Sequence, residues 1–434
     1  MNKKILIIGI VLVVVTTLAT AASGLFSYPF LPNNPPKADD TGATEQGIRE
    51  VVRANNQFAL ELYSELSKNE KGNVFYSPYS IFAALSMTYE GAKGQTADEM
   101  KSVFHFPNSN ILRPNFAAIY NNINQGNKNY KLRTGNALWV QKDYPFLENY
   151  TNVVEKYYGG KAANLDFIKE TEKSRQTINS FIEEQTNNKI KDLIPPGVLG
   201  PMTRLVLTNA IYFKGTWEWE FNPKNTGKMD FKITPTNVIK TPMMYMKPEK
   251  AKFNYADLGK LQILELPYKG DKISMLILLP KQEEHYDFET GKKVTTNYTL
   301  EDIELSYEKL EEWKSQMKET KIDVIYLPKF EFDTKYFMED TLSTMGMPTA
   351  FSDKADFSGM TTAEQLYISQ VIHQAYVKID EKGTEAAAAT AVMMKATSAM
   401  PTNVFRADHP FIFIIQEKDT GNILFLGRIV DPRE

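Results

Sequence analysis

Glu381-Lys382-Gly383-Thr384-Glu385-Ala386-Ala387-Ala388-Ala389-Thr390, close to the C-terminus, decides how this chain is read. It lies between two strand-like segments, residues 374–380 and 411–416. Neither a catalytic loop nor a core helix needs four consecutive alanines ending in threonine. A segment that must enter a tight gap between two existing strands does need small side chains. Strands alternate faces with a period of two. If Thr384 points inward, so do Ala386, Ala388, Thr390, Val392 and Met394, none of them charged. The opposite set, Glu385, Ala387, Ala389, Ala391, Met393 and Lys395, holds both charges. A strand that buries one face has this pattern. The segment therefore reads as a loop able to become a strand, with Gly383 and Thr384 entering first.

Composition narrows the rest. The chain has 434 residues, 42% of them hydrophobic, enough for a large core. A net charge of -3 gives no basic field for nucleic acid. With no cysteine, disulfides, thiolate catalysis and cysteine-based metal sites are excluded together. The four histidines, His105, His285, His373 and His409, are scattered without metal-ligand spacing, so no metal or cofactor is expected. At the N-terminus, Asn2-Lys3-Lys4 precedes an apolar run over 5–18 and a small-x-small pattern, Ala19-Thr20-Ala21. The uncharged stretch 5–26 is also about long enough to span a bilayer. Residues 1–26 are thus a cleaved signal or a retained anchor. Both place the body outside the cytoplasm, secreted or anchored facing outward. Residues 27–46, with Pro29, Pro32, Pro35 and Pro36, read as a flexible spacer. Residues 47–434 read as one folded domain.

Val51, Asn55, Phe58, Leu62 and Leu66 recur at helical spacing. A short strand is expected over 73–76, and Ser77-Pro78 opens a second helix. Thr96-Ala97-Asp98-Glu99 reads as a capping box with Thr96 as the cap. Strands are expected over 131–141, 162–167, 205–213, 321–332, 367–380 and 422–429, and a helix over 172–185. Residues 263–267 and 273–279 form a hairpin around Lys269-Gly270-Asp271. The charged, unpatterned region 281–302 reads as a surface excursion before a helix near 307–317. Helices dominate the first third and strands the last, which implies an α+β protein with large, mainly antiparallel sheets.

Several segments carry a resemblance. Asn73-Val-Phe-Tyr-Ser-Pro-Tyr-Ser80, Gly91-Ala-Lys-Gly-Gln-Thr96, Thr208-Asn-Ala-Ile-Tyr-Phe-Lys-Gly-Thr-Trp217, Val371-Ile-His-Gln374, His409-Pro-Phe411 and Phe425-Leu-Gly-Arg-Ile-Val-Asp-Pro432 resemble the motifs of the serpins, from about residue 50 to the end. The likeness is to inhibitory members, of a prokaryotic kind with an N-terminal signal or anchor. It implies the serpin fold, with three β-sheets, eight or nine helices and an exposed reactive-centre loop. It implies an irreversible suicide-substrate inhibitor of serine proteases and not an enzyme. The hinge would be Glu381, Gly383, Thr384, Glu385, Ala386, Ala387, Ala388, Ala389 and Thr390. Counting as the family counts, the reactive bond is Thr397–Ser398. A small β-branched Thr397 suits elastase-like or subtilisin-like targets, while a register shifted to Lys395 would suit a trypsin-like one. Ser77, Ser80, Asn209 and His373 match the family's shutter, a polar cluster that holds the sheet closed. Trp217 matches the breach, where the loop first enters. A monomer is expected, with membrane contact only through the N-terminal segment. The sequons at Asn149 and Asn297 carry no expectation.

Other classes fare worse. Ser77 and His373 could be drawn into a hydrolase triad, but no Gly-x-Ser-x-Gly elbow surrounds Ser77, which precedes a proline. A non-inhibitory serpin, a carrier or chaperone, would break the hinge with charged, bulky or proline residues, and Gly383 to Thr390 is unbroken. Inhibition of papain-like cysteine proteases on the same scaffold remains open. Lys93, Lys101, Arg113, Lys128, Lys131 and Arg133 are spread among acids, so no polyanion site is expected.

Overall fold

The computed structural model describes residues 37–124, 129–287, 292–362, 366–384 and 403–433. The expected N-terminal signal or anchor, residues 27–36 of the expected spacer, the expected hinge residues Glu385 to Thr390 and the expected reactive bond Thr397–Ser398 lie outside them. Among the described residues there are eight α-helices, three β-sheets of seven, seven and four strands, and a separate two-stranded hairpin. This is the α+β serpin arrangement expected above.

Local signals set many element ends. Thr44 caps the first helix, Glu45–Asn69, by accepting from the Gly47 amide. Just before it, buried Ala38 exchanges hydrogen bonds with the Asn121 side chain. Ser77 caps Pro78–Tyr89, with proline at the first helical position where no amide is needed. That helix is buried on almost every side, because it runs beneath a sheet.

One seven-stranded sheet contains the candidate site. Its strands are β1 (Tyr130–Thr134), β2 (Ala137–Gln141), β3 (Lys161–Leu165), β4 (Leu205–Thr216), β5 (Phe330–Phe337), β6 (Ile368–Asp380) and β7 (Gly383–Thr384). The order across it is β5-β6-β7-β4-β2-β3, with β1 also paired to β4. Most neighbours are antiparallel, but β2 with β3, and β4 with β6 where they touch, run parallel. The second sheet packs the apolar strands Leu261–Pro267, Ile273–Pro280, Phe411–Glu417 and Ile423–Ile429. The third, smaller sheet holds Gly227–Thr234, Asn237–Met246, Val324–Pro328 and Val404–Arg406.

Four expectations need correction. Thr96 is not a cap: Gly94–Phe104 starts after Lys93, and the Thr96 hydroxyl accepts from the Asp356 amide. Glu99 binds the amide and hydroxyl of Thr349 instead of reaching back, so the pair serves tertiary packing. The strand expected over 131–141 is two strands, interrupted at Gly135 and Asn136. The strand expected over 321–332 is also two, Val324–Pro328 in the small sheet and Phe330–Phe337 in the large one. Finally, 281–302 contains the hairpin of Gln282–Asp287 and Lys292–Asn297.

Candidate functional site

The site is the seam between β4 and β6. Along its lower part the two strands pair directly, from Ile368 with Leu205 up to Ala375 with Ile211. Above that they part around β7, which pairs antiparallel with both. Thr384 lies opposite Ile379 and Gly215, and Gly383 opposite Asp380 and Thr216. The first two residues expected to enter the sheet are thus already a wedge in it.

Packing leaves Gly383 no substitute. Its φ of 147° disfavours any side chain, and a Cβ there would lie 2.0 Å from the Gly215 carbonyl oxygen. Thr384 is buried, and its hydroxyl meets the Tyr268 hydroxyl at 2.6 Å. Tyr268 stacks on Trp217 with centroids 4.5 Å apart. Trp217 in turn donates its indole N–H to the Asp380 carbonyl at 3.0 Å, and its amide to Lys382. The structure therefore places Trp217 at the point where β7 enters. Tyr268 was not singled out from the sequence. It follows β-strand Leu261–Pro267, far from the hinge in the chain, and a lone tyrosine beside a turn carries no local signal.

Glu381 anchors the hinge from above. Its carboxylate accepts from Lys329 Nζ at 2.9 Å and from the Thr226 hydroxyl at 2.7 Å, and its carbonyl accepts from the Phe221 amide. Burial pushes this carboxyl up, but the Lys329 ammonium and Thr226 hydroxyl outweigh burial and hold it below the usual range.

Lower in the seam, Ser77, Ser80, Asn209 and His373 come together, all buried. His373 Nε2 accepts from the Ser77 amide at 3.0 Å, so Nδ1 carries the proton and donates to Asn209 Oδ1. Asn209 donates at 2.7 Å to Ser80 Oγ and at 2.7 Å to Asn136 Oδ1. Ser80 Oγ also donates to Asn136 at 2.8 Å, and Ser77 Oγ to the Leu424 carbonyl at 2.6 Å. Asn136 is the member that sequence reading missed. Its signal was the Gly135-Asn136 turn chemistry inside what read as one strand. Since His373 is on β6 and Asn209 on β4, one hydrogen bond crosses the seam directly.

Burial drives the His373 imidazole down from 6.5 to about 3, so it is neutral in the folded chain. The unfolded chain protonates it below about 6.5, and stability falls by about 1.4 kcal/mol per pH unit from there towards 3. His373→Gln removes this dependence. Urea unfolding at pH 7 and pH 5 should show a loss of stability about 2 kcal/mol smaller in the variant than in the parent. Parallel pH profiles would show that His373 is not held neutral.

The chain matches the family described as "Serpin (serine protease inhibitor)" over residues 53–432. It is 41% identical over 391 residues to an uncharacterized serpin-like protein of Methanosarcina mazei, covering 88% of each chain. It is 39% identical to leukocyte elastase inhibitor A of Rattus norvegicus, covering 89% of this chain and 100% of that one. Among solved structures it resembles human thyroxine-binding globulin, with a TM-score of 0.76, 29% identity, and coverage of 89% of this chain and 100% of that one. Matched by family and fold over nearly all of its described length, the chain belongs to the serpins.

Proposed function

We propose that this serpin is an irreversible suicide-substrate inhibitor of serine proteases, and that its hinge inserts between β4 and β6 after cleavage. The observation that carries this reading is the register of β7. Thr384 sits opposite Ile379 and Gly215. Continuing that antiparallel register places Ala386 between Val377 and Phe213, and Ala388 between Ala375 and Ile211. Both flanking strands predict the same positions, because Ala375 and Ile211 are already paired with each other. Two steps on, Thr390 falls between His373 and Asn209. Its hydroxyl can both donate and accept, so it can relay the bond that insertion separates.

The chemistry is an interrupted proteolysis. The protease serine attacks the Thr397 carbonyl, the Thr397–Ser398 bond breaks, and the Ser398 amine leaves with a proton. An ester then links Thr397 to the protease. Insertion gains ladder hydrogen bonds on both sides and buries the inward set Thr384, Ala386, Ala388, Thr390, Val392 and Met394. Seventeen extended residues from Glu381 to Thr397 span roughly 50 Å, enough to carry the attached protease the length of the sheet before the ester hydrolyses. The hinge, shutter and breach roles named above belong to this reading. So do the cleaved signal or anchor over 1–26, the spacer, the folded domain over 47–434, a monomeric state and an extracellular location. Elastase-like or subtilisin-like enzymes suit Thr397 best.

The test mixes the chain with elastase-like, subtilisin-like, trypsin-like, chymotrypsin-like and papain-like proteases. A denaturant-stable band at the summed mass, with a released peptide beginning at Ser398, is the expected result. A peptide beginning at Ala396 would move the reactive bond to Lys395 and the target to the trypsin-like class. Cleavage without any stable band, and without a gain in thermal stability, would overturn inhibition in favour of a carrier or chaperone role.

A further inference from the structure

A cavity of about 530 Å³ opens at the far end of the large sheet from the wedge, where Ile368 pairs with Leu205. Three elements wall it: the loop 197–203 that leads into β4, the start of β6, and the helix Glu339–Met345 with Phe351 beyond it. Gly197 and Gly200 keep the loop wall bare, since a Cβ at either would meet nothing within 4 Å. Val198, Met202, Phe351 and Ile368 supply apolar surface, and Met202 is 70% exposed.

The charge of the lining is one-sided. Glu339 and Asp340 are its charged members, and among the described residues neither has an ion-pair partner. Both lie in the first turn of their helix, where the helix dipole favours a carboxylate. The base beside the loop wall, Arg204, is engaged elsewhere. Its Nη1 donates to the Pro201 and Thr203 carbonyls, and its guanidinium faces the Tyr144 ring. Glu339 Oε1 accepts from the Val371 amide at 2.7 Å, which fixes the carboxylate and leaves Oε2 without a side-chain donor. Burial pushes this carboxyl up, and the neighbouring Asp340 adds to the effect against the backbone amides that oppose it. The Ser343 and Tyr367 side chains also line the cavity, and their hydroxyls make no hydrogen bond among the described residues.

We infer that this cavity binds a small organic cation, a primary ammonium carried on an aromatic or alkyl body. An ammonium has three donors and no acceptor, and the lining offers two carboxylates and two unengaged hydroxyls as acceptors. The body of the ligand lies against Phe351, Val198 and Ile368. An anion would meet repulsion with no compensating base. A metal ion lacks ligands, because no group of three His, Cys, Asp or Glu side chains suited to one occurs among the described residues. The volume falls in the usual range for small-molecule sites, about 300–1,000 Å³. Neither the hinge nor the reactive bond enters this inference, so it stands apart from the inhibitory reading.

The experiment titrates the full, uncleaved chain calorimetrically with phenylbutylamine and with its neutral counterpart phenylbutanol, at neutral pH and low salt. Saturable binding of the amine is expected, about tenfold tighter than the alcohol, because a hydrogen bond to a charged group is worth at least that factor. Glu339→Gln keeps a carbonyl for the Val371 amide and removes the charge. It should lower the amine's affinity about tenfold, to the level of the alcohol, and leave the alcohol's unchanged. Asp340→Asn alters an exposed side chain, should weaken the amine several-fold, and tests the site even if Glu339→Gln does not fold. Absence of saturable binding, amine binding no tighter than the alcohol's, or parent-like amine affinity in the folded variants would overturn the site.

Discussion

Thr384→Arg is expected to turn the chain from an inhibitor into an ordinary protease substrate. Cleavage should proceed at the parent's rate, because the proposed reactive bond lies about a dozen residues further along the chain. No denaturant-stable complex should accumulate, and cleavage should bring no rise in melting temperature. Thr384 is only 2% exposed, and its hydroxyl is held by Tyr268, itself stacked on Trp217. Behind it lies Gly215, where even an added Cβ would come within 2.7 Å of the Tyr268 ring. A guanidinium in that pocket would be an unpaired buried ion, costing several kcal/mol. The alternative is to leave the sheet, and a hinge that cannot hold its first residue cannot lead the rest in. Thr384→Ser keeps the hydroxyl and should retain trapping. A parent-like yield of stable complex from Thr384→Arg would show that this position need not be buried.

Asn209→Ala is expected to cost stability on the order of 2–6 kcal/mol, read as a lower urea midpoint. Asn209 is the hub of the seam: it accepts from His373 and donates to both Ser80 and Asn136. Truncation strands the buried His373 Nδ1 proton, and leaves the half-buried Asn136 Oδ1 with Ser80 as its donor. The orphaned His373 donor costs about 1–3 kcal/mol, and the two bonds lost to Ser80 and Asn136 cost about 0.5–1.5 kcal/mol each. The bond across β4 and β6 is lost at the same time, so the seam should open more readily. The cleaved form should be destabilised less than the uncleaved one, because the insertion proposed above would bring Thr390 between the two strands, where it can satisfy His373. Equal losses in both forms would mean that the cluster is ordinary core and takes no part in insertion.

Much of the site was visible in the chain itself. Small residues from Gly383 onward with alternating character announced a strand-forming segment, and Gly383 and Thr384 do form strand β7. Ser77 was legible as a cap because serine before proline is a local pattern. His373 and Asn209 could be placed only through the family resemblance, since neither has a local signature. Asn136 had a local turn signal that went unread, whereas Tyr268, Lys329 and Thr226 escaped. Each meets its partner over a long separation, and such contacts leave no mark on periodicity. The Thr96 and Glu99 reading failed for the converse reason. The motif was genuine, but Thr349 and Asp356 offered the same side chains tertiary partners.

The sequence by itself determined most of the elements, the absence of thiol chemistry and the membership of a family. These are properties of neighbours along the chain, where side-chain periodicity, capping and backbone restriction act within a few residues. The tertiary structure decided the register. It alone shows that Thr384 is already seated between Ile379 and Gly215, and that His373 and Asn209 face each other across the seam. A strand's pairing depends on which distant segments the core brings to its edges. A shift of one residue would exchange its faces without altering a single local preference.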